Sequence, residues 1–364
     1  MTTIDPVALR AAINSCVDPS LQQTIGAVGA LQSLTPITDG WRAELRFGFP
    51  VGGYEDDLGE ALSASLAAAE IKTRLQLSLQ HAIATHAVQR GLTPLGSVKN
   101  VVAVASGKGG VGKSTVAVNL ALAWALQGAK VGILDADIYG PSLPIMLGLA
   151  GQKPSSSDGK KLQPLRAHNV AAMSIGFLVD AEQPMVWRGP MVTSALNQLL
   201  SETLWGELDY LIVDMPPGTG DIALTLSQKV PVAGAVIVTT PQDIALADAR
   251  KGLKMFEKVN VPVLGIVENM SVHICSHCGH SEHIFGVGGG TKMSLQYEVP
   301  LLGELPLDAM IRAEADGGTP TVAAAPDSQR ALAYLRMARR TAAELSRRSR
   351  DSSRFFPKIV VEES

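Results

Sequence analysis

The run "GKGGVGKS", Gly107 to Ser114, matches the pattern G-x-x-x-x-G-K-[ST]. Glycines in such a turn let successive backbone N–H groups curl around an anion, and a helix beginning behind them adds its positive end. The chemistry expected is nucleoside triphosphate binding by Gly107, Lys108, Gly109, Gly110, Val111, Gly112, Lys113, Ser114 and Thr115. Lys113 is placed to reach the terminal phosphates and Ser114 to ligate Mg²⁺. Further carboxylates end apolar runs: Asp135 and Asp137 in "ILDAD", and Asp214 in "LIVDMPPGTGD". At the carboxyl ends of parallel strands such groups lie beside the ligand crevice. Phosphoryl transfer asks for little beyond positioning and charge neutralisation, so this set suffices for a slow ATPase. A helix-capping role accounts equally well for any one aspartate taken alone.

A second chemistry is written in "HICSHCGHSEH", residues 273–283, which holds two of the three cysteines and four of the seven histidines. Cys275 and Cys278 can grip a metal from one turn. A cubane iron–sulfur cluster is held by a Cys₄ set, which one chain does not supply, because Cys16 belongs to a distant segment. A two-fold dimer brings the same pair from each subunit across its axis. The same stretch allows a Cys₂His₂ zinc set of Cys275, Cys278, His280 and His283 within one chain, although the Cys278 to His280 spacing is tight for a finger, and it also allows a redox pair. His273 and His277 read as exposed or supporting groups, and Cys16 as a small, partly buried residue. Arg188 in "VWRGPM" reads as a contact to a partner subunit or client, or as a packed turn.

These groups need a frame. The 364 residues, 46% hydrophobic and 18% charged, can bury one large core with a smaller domain beside it. The net charge of -3 gives no sign of bulk affinity for nucleic acid. The longest apolar run, "TVAVNLALAWAL", is too short to cross a bilayer, and "MTTIDPVALR" lacks the pattern of a targeting segment. A cytoplasmic protein, with neither membrane nor nucleic acid as partner, is expected; three cysteines argue against a disulfide framework.

Residues 1–92 hold six Lys/Arg and nine Asp/Glu, so this part carries the whole net charge. It reads as a small α+β domain: helix 6–15, strands 29–35 and 41–49, helix 55–70, and strand 72–80, where "KTRLQLSLQ" alternates with period two. "RGLTPLGSVKN" contains the linker, taken as 93–98. Over 99–349, near-continuous Val/Ile/Leu strands alternate with helices: "NVVAVAS", "AKVGILDAD", "NVAAMSIGF", "LDYLIVDMP", "AGAVIVTT", "PVLGIVENM" and "PLLGELP". That rhythm predicts an α/β fold, a doubly wound and mostly parallel sheet covered on both faces. The Arg-rich helix at 327–348 keeps its apolar positions at helical spacing, and 350–364 is a short tail ending acidic.

Lys108, a second lysine just behind the first glycine, makes "KGGVGKS" resemble the deviant Walker A loop of the MinD/ParA/nitrogenase-iron-protein class. "VKNVVAVASGKGGVGKSTVAVNLALA", "GAKVGILDADIYGPSLP", "VWRGPM", "DYLIVDMPPGTGD" and "VENMS" followed by C-x-x-C together resemble the Mrp/ApbC family of ATP-binding iron–sulfur carriers, over about residues 98 to 325. The resemblance implies a P-loop NTPase fold and a nucleotide-sandwich homodimer in which Lys108 reaches the partner's nucleotide. It further implies a Walker B role for Asp214, water positioning by Asp137, γ-phosphate sensing at Gly218 and base reading by Asn269. Catalysis would fall to Lys108, Lys113, Asp137 and Asp214, with ATP and Mg²⁺ as cofactors. A labile [4Fe–4S] cluster on Cys275 and Cys278 of both subunits would pass to apoprotein clients after loading from an assembly scaffold. The N-terminal part is similar to a small domain of iron–sulfur assembly factors, but the loop "GFPVGGYEDD" lacks the cysteine common there. The competing reading is a positioning ATPase of the MinD/ParA type with a zinc loop; a third is a reductase component sharing fold and bridged cluster.

Overall fold

The structure, a computed structural model, describes residues 5–156, 159–178, 189–275 and 277–350. Arg188 and the tail from 351 lie outside the described residues. The N-terminal part contains α1 (Pro6–Ser15), β1 (Leu31–Ile37), β2 (Gly40–Phe47), α2 (Glu55–Ala68) and β3 (Leu75–His81). Asp5 caps α1 by accepting the Val7 N–H at 2.9 Å, with Pro6 pre-set in the first turn. Three acidic residues, Glu55, Asp56 and Asp57, open α2, where the helix dipole favours negative charge. Its buried face is Leu58, Leu62 and Leu66, one residue per turn. The sheet order is β1-β2-β3: β1 and β2 form an antiparallel hairpin, and α2 carries the chain across to β3, parallel to β2.

The larger part continues with β4 (Val98–Ser106), α3 (Lys113–Leu126), β5 (Val131–Asp135), α4 (Leu143–Met146), β6 (Leu165–Ala167), β7 (Val170–Ser174), α5 (Gly189–Glu202), β8 (Leu208–Asp214) and α6 (Asp221–Lys229). It ends with β9 (Gly234–Thr239), α7 (Asp243–Lys258), β10 (Val263–Glu268), β11 (His273–Ile274), β12 (Ser281–Glu282), α8 (Gly289–Tyr297), β13 (Leu301–Glu304), α9 (Ala309–Asp316), α10 (Thr321–Ala324) and α11 (Gln329–Ser346). The eight-stranded sheet has the order β13-β10-β9-β4-β8-β5-β7-β6 and is parallel except for the edge strand β6. The doubly wound α/β expectation holds, and each of the seven apolar runs is a strand. β6 was not anticipated: "LRA" is too short and too exposed to carry a pattern. Every residue of β5, β7, β8, β9 and β10 is buried, because helices cover both faces. The chain leaves β4 toward β5 on one side and returns through β9 on the other, so the switch point lies at β4.

Helices α3 and α11 share one side of the sheet. Trp124, fully buried, stacks on Tyr210 with centroids 4.2 Å apart and donates its indole N–H to the Ala338 carbonyl at 2.8 Å. The opposite side of α11 receives the N-terminal part. Arg339, 4% exposed, donates to Asp57 Oδ2 at 3.0 Å and to the carbonyls of Gly52 and Gly53, with its guanidinium 4.4 Å from the Tyr54 ring centroid. The connection is fastened by amide side chains. Asn100 accepts the His86 N–H and donates to Ala84, while Gln89 donates to the carbonyls of Ser227 and Val230 and accepts the Val232 N–H. Arg339→Ala is expected to lower stability by about 2 kcal/mol, since it removes a buried guanidinium that joins the Gly52 and Gly53 carbonyls, the Tyr54 ring and the half-exposed Asp57. Limited proteolysis should show faster cleavage between residues 82 and 97, and thermal unfolding should begin earlier.

Candidate functional site

β4 ends at Ser106, and the loop from Gly107 to Gly112 leads straight into α3 at Lys113. The glycines answer to different constraints. Gly110 and Gly112 take φ of +81°, and Gly109 and Gly110 have open space where a side chain would project, as an anion cradle requires. A Cβ on Gly112 would lie 2.2 Å from Asn269 Nδ2, and one on Gly107 would lie 2.1 Å from the Asp248 carbonyl carbon, inside α7. Gly107 is therefore fixed by helix packing as well as by the turn. Val111 is buried, and Ser114 and Thr115 are half-buried beside the loop. Lys108 is half-buried, its carbonyl accepting the Ser106 hydroxyl at 2.8 Å; no ion pair holds its ammonium among the described residues.

Lys113 and the Asp214 carboxylate, 6% and 0% exposed, meet at 2.5 Å, and the ammonium also donates to Ser114 Oγ at 3.2 Å. The second oxygen of Asp214 is buried without a hydrogen-bond partner among the described residues. An orphaned carboxylate oxygen, on a group joined to the Ser114 hydroxyl through the Lys113 ammonium, fits a hydrated magnesium ion. Asp135, on the neighbouring strand, acts on the chain that follows it: its carboxylate accepts the N–H groups of Asp137, Ser142 and Leu143 and the Ser174 hydroxyl. Burial, and then the Asp214 charge, push Asp135 up to about 7. Asp137, half-buried, is also raised by burial, against the pull of Lys113. Gly218, φ +86°, donates its N–H to the Ser106 carbonyl at 3.0 Å, which ties the turn after β8 to the root of the phosphate loop.

Asn269 stands at the end of β10, 5% exposed. Its N–H goes to the Thr239 carbonyl and its Nδ2 to the Val111 carbonyl at 2.9 Å. One amide edge therefore holds the loop. Beside it opens a cavity of about 370 Å³ bounded by Gly112, Thr115, Asn269, Met270, Pro306 and Asp308. The turn from Pro306 to Asp308 escaped the sequence reading. The available signal was its place directly after "LLGELP", at the carboxyl end of a parallel strand.

Cys275 and Cys278 sit at the tip of the β11–β12 hairpin, half-buried and exposed. The Cys275 N–H donates to the His280 carbonyl at 2.9 Å, and the Gly279 N–H to the Cys275 carbonyl at 2.8 Å. The backbone N–H groups of Cys278 and His277, then the Cys278 thiol, hold the Cys275 thiol below its usual range, which favours the thiolate that a metal takes. His273 bonds the Leu307 carbonyl through Nδ1, and His283 bonds the Ser271 carbonyl. Among the described residues no group of three His, Cys, Asp or Glu side chains converges on a metal position, so the Cys₂His₂ set is not assembled within one chain. Cys16 lies elsewhere, 4% exposed, with burial and the Asp18 charge raising its thiol.

The hairpin stem is bonded to the wall of the cavity beside Asn269. Ser271 donates its N–H and its hydroxyl to the Leu305 carbonyl, and Leu307 donates its N–H to the Val272 carbonyl at 2.8 Å. Residues 271–273 thus run along 305–307, which pass from β13 to the cavity-lining turn.

Comparison with known proteins agrees with this arrangement. Residues 97–342 match the ParA family model described as NUBPL iron-transfer P-loop NTPase. The iron-sulfur cluster carrier protein of Escherichia coli strain K12 is 52% identical over 344 residues, 93% of each chain. The mouse iron-sulfur cluster transfer protein NUBPL is 53% identical over 259 residues, 70% of this chain and 81% of the mouse protein. Among solved structures, a nucleotide-binding protein from Archaeoglobus fulgidus in complex with ADP superposes with a TM-score of 0.55 at 41% identity, covering 61% of this chain and 87% of that one. The cell division ATPase MinD of Pyrococcus furiosus shares the fold, with a TM-score of 0.51 at 24% identity over 66% of this chain and 97% of its own. The match over residues 97–342 and the 52% identity over nearly the whole chain show that it belongs to the family of NUBPL iron-transfer P-loop NTPases.

Proposed function

We propose that the protein is an ATP-dependent carrier that binds a labile [4Fe–4S] cluster between the Cys275/Cys278 pairs of two subunits and hands it to apoproteins. The observation that carries this reading is the bonding of residues 271–273 to 305–307, which joins the cysteine hairpin to the edge of the cavity that opens beside the phosphate loop and Asn269. A purely positioning ATPase has no use for paired thiols at a hairpin tip, which favours cargo over the MinD-type alternative.

In this reading the N–H groups from Gly109 to Ser114 cradle the phosphates, and Lys113 moves its ammonium from Asp214 toward the γ-phosphate. Ser114, and Asp214 through water, would hold magnesium, which would supply charge neutralisation for phosphoryl transfer. Asp137 orients the attacking water, Asn269 reads the base with its amide oxygen, and Lys108 reaches the nucleotide of the second subunit. The cluster is cargo, loaded and released by protein partners. Nucleotide state shifts the 305–308 turn and with it the hairpin, so that one dimer arrangement holds the cluster and another releases it.

Anaerobic loading with iron and sulfide should give a brown dimer with one cubane per pair of chains, and Cys275→Ala or Cys278→Ala should remove the colour and the iron. A strictly monomeric product that keeps its inorganic cargo, or one zinc per chain, would overturn the reading. Lys108→Ala should retain nucleotide binding but lose ATP-induced dimerisation and about tenfold or more of the hydrolysis rate, whereas Lys113→Ala should lose binding itself. Sedimentation with ATP and a phosphate-release assay separate the two. Cluster delivery by Lys108→Ala at the rate of the unaltered protein would reject the coupling between nucleotide and cargo.

A further inference from the structure

The N-terminal sheet has two edges that are finished differently. The outer edge of β1 is interrupted by Pro36, which has no N–H, and by a bulge between Leu31 and Ser33. β3 has neither device, and no charged residue lies between Leu75 and Gln80. The register with β2 shows which of its backbone groups are spent. The Trp41 N–H goes to the Arg74 carbonyl and the Ala82 N–H to the Phe47 carbonyl, so the even-numbered residues of β3 face β2. In a ladder the alternate residues turn their N–H and C=O the other way. Leu75, Leu77 and Leu79 therefore present theirs to the outer edge, where no strand pairs with them among the described residues.

Side chains of the same strand line a groove of about 850 Å³ between α2 and β3. Its floor is Leu62, Leu66, Leu75 and Leu77, the last two only half-buried. Its rim is Glu55, Asp56, Glu60 and Glu70, all exposed and without an ion pair among the described residues, against a single lining cation, Lys72. The groove thus offers a hydrogen-bonding edge, an apolar floor on the same residues, and negative charge above it.

We infer that the outer edge of β3 and the groove beside α2 form a docking site for an extended, basic segment of a partner protein. The segment adds as a further strand. Its alternate apolar side chains enter the floor beside Leu75 and Leu77, and Lys or Arg residues flank the acidic rim. A second copy of this chain is a poor occupant, since it would set one acidic rim against another. The docking site stands on its own geometry; only the partner's role, as donor or recipient of a cluster, rests on the carrier reading.

The full-length protein can be titrated with a labelled peptide of about nine residues alternating Lys with Val or Ile, and with the same peptide carrying Glu for Lys. The basic peptide should bind with a Kd in the micromolar range, about tenfold or more tighter than the acidic one. It should slow amide hydrogen exchange at Leu75, Leu77 and Leu79. Asp56→Lys with Glu60→Lys, both on the exposed rim, should weaken it about tenfold. Leu77→Pro should abolish binding, and the charge variant keeps the test decisive if that protein fails to fold. Equal affinity for both peptides, unchanged binding by the charge variant, protection at amides away from β3, or self-association of the protein through β3 would each refute the docking site.

Discussion

A lysine and an aspartate, both withdrawn from water at the carboxyl end of the sheet, hold the centre of this molecule. Lys113 opens α3 and Asp214 closes β8, so their 2.5 Å contact fixes the register of loop, helix and strand around β4. Burying both charges is costly, and only their mutual attraction and further hydrogen bonds offset it. Removing either partner would strand the other. The arrangement also leaves Asp214 with one unbonded oxygen. In the proposed mechanism a phosphate takes the lysine while the carboxylate turns to a hydrated cation.

From that centre the chain distributes its work by layers. Asp135 gathers the loop from Asp137 to Leu143 with three backbone N–H groups and so fixes where Asp137 stands. Asn269 holds the phosphate loop from the far side through the Val111 carbonyl. A few residues later the same strand end becomes the stem of the cysteine hairpin, bonded to the turn that walls the cavity. In the proposed reading, nucleotide and cargo positions would share this backbone ladder, a direct physical route by which one site can bias the other.

Much of this was legible in the sequence, because the informative signals are local. The parallel strands announce themselves through uninterrupted Val/Ile/Leu runs, and the phosphate loop through glycines at fixed spacing between strand and helix. The paired cysteines were equally plain. What escaped depends on contacts between distant segments. Nothing in "LPLDAM" says that it bounds the cavity, since its role arises when β13 pairs with β10. That Asn269 spends its amide hydrogen on Val111 is a tertiary fact, as is the use of Asp135 as an organiser. The bonds of His273 and His283 through Nδ1 to the Leu307 and Ser271 carbonyls are likewise tertiary, and no spacing rule foretells them. The clamps through Arg339 and Gln89 were invisible for the same reason, each joining residues more than a hundred positions apart.

Gly107 shows how far the phosphate cradle belongs to the assembled layers. The space its absent side chain leaves is filled by the backbone of α7 at Asp248, so the helix on that face sets the depth at which the turn begins. The eight-residue signature is consequently not a detachable cassette. Transplanted to a sheet with no helix crossing at that depth, it would keep its letters and lose its curvature, and a search for such loops by sequence alone would gather shapes that cannot close on an anion.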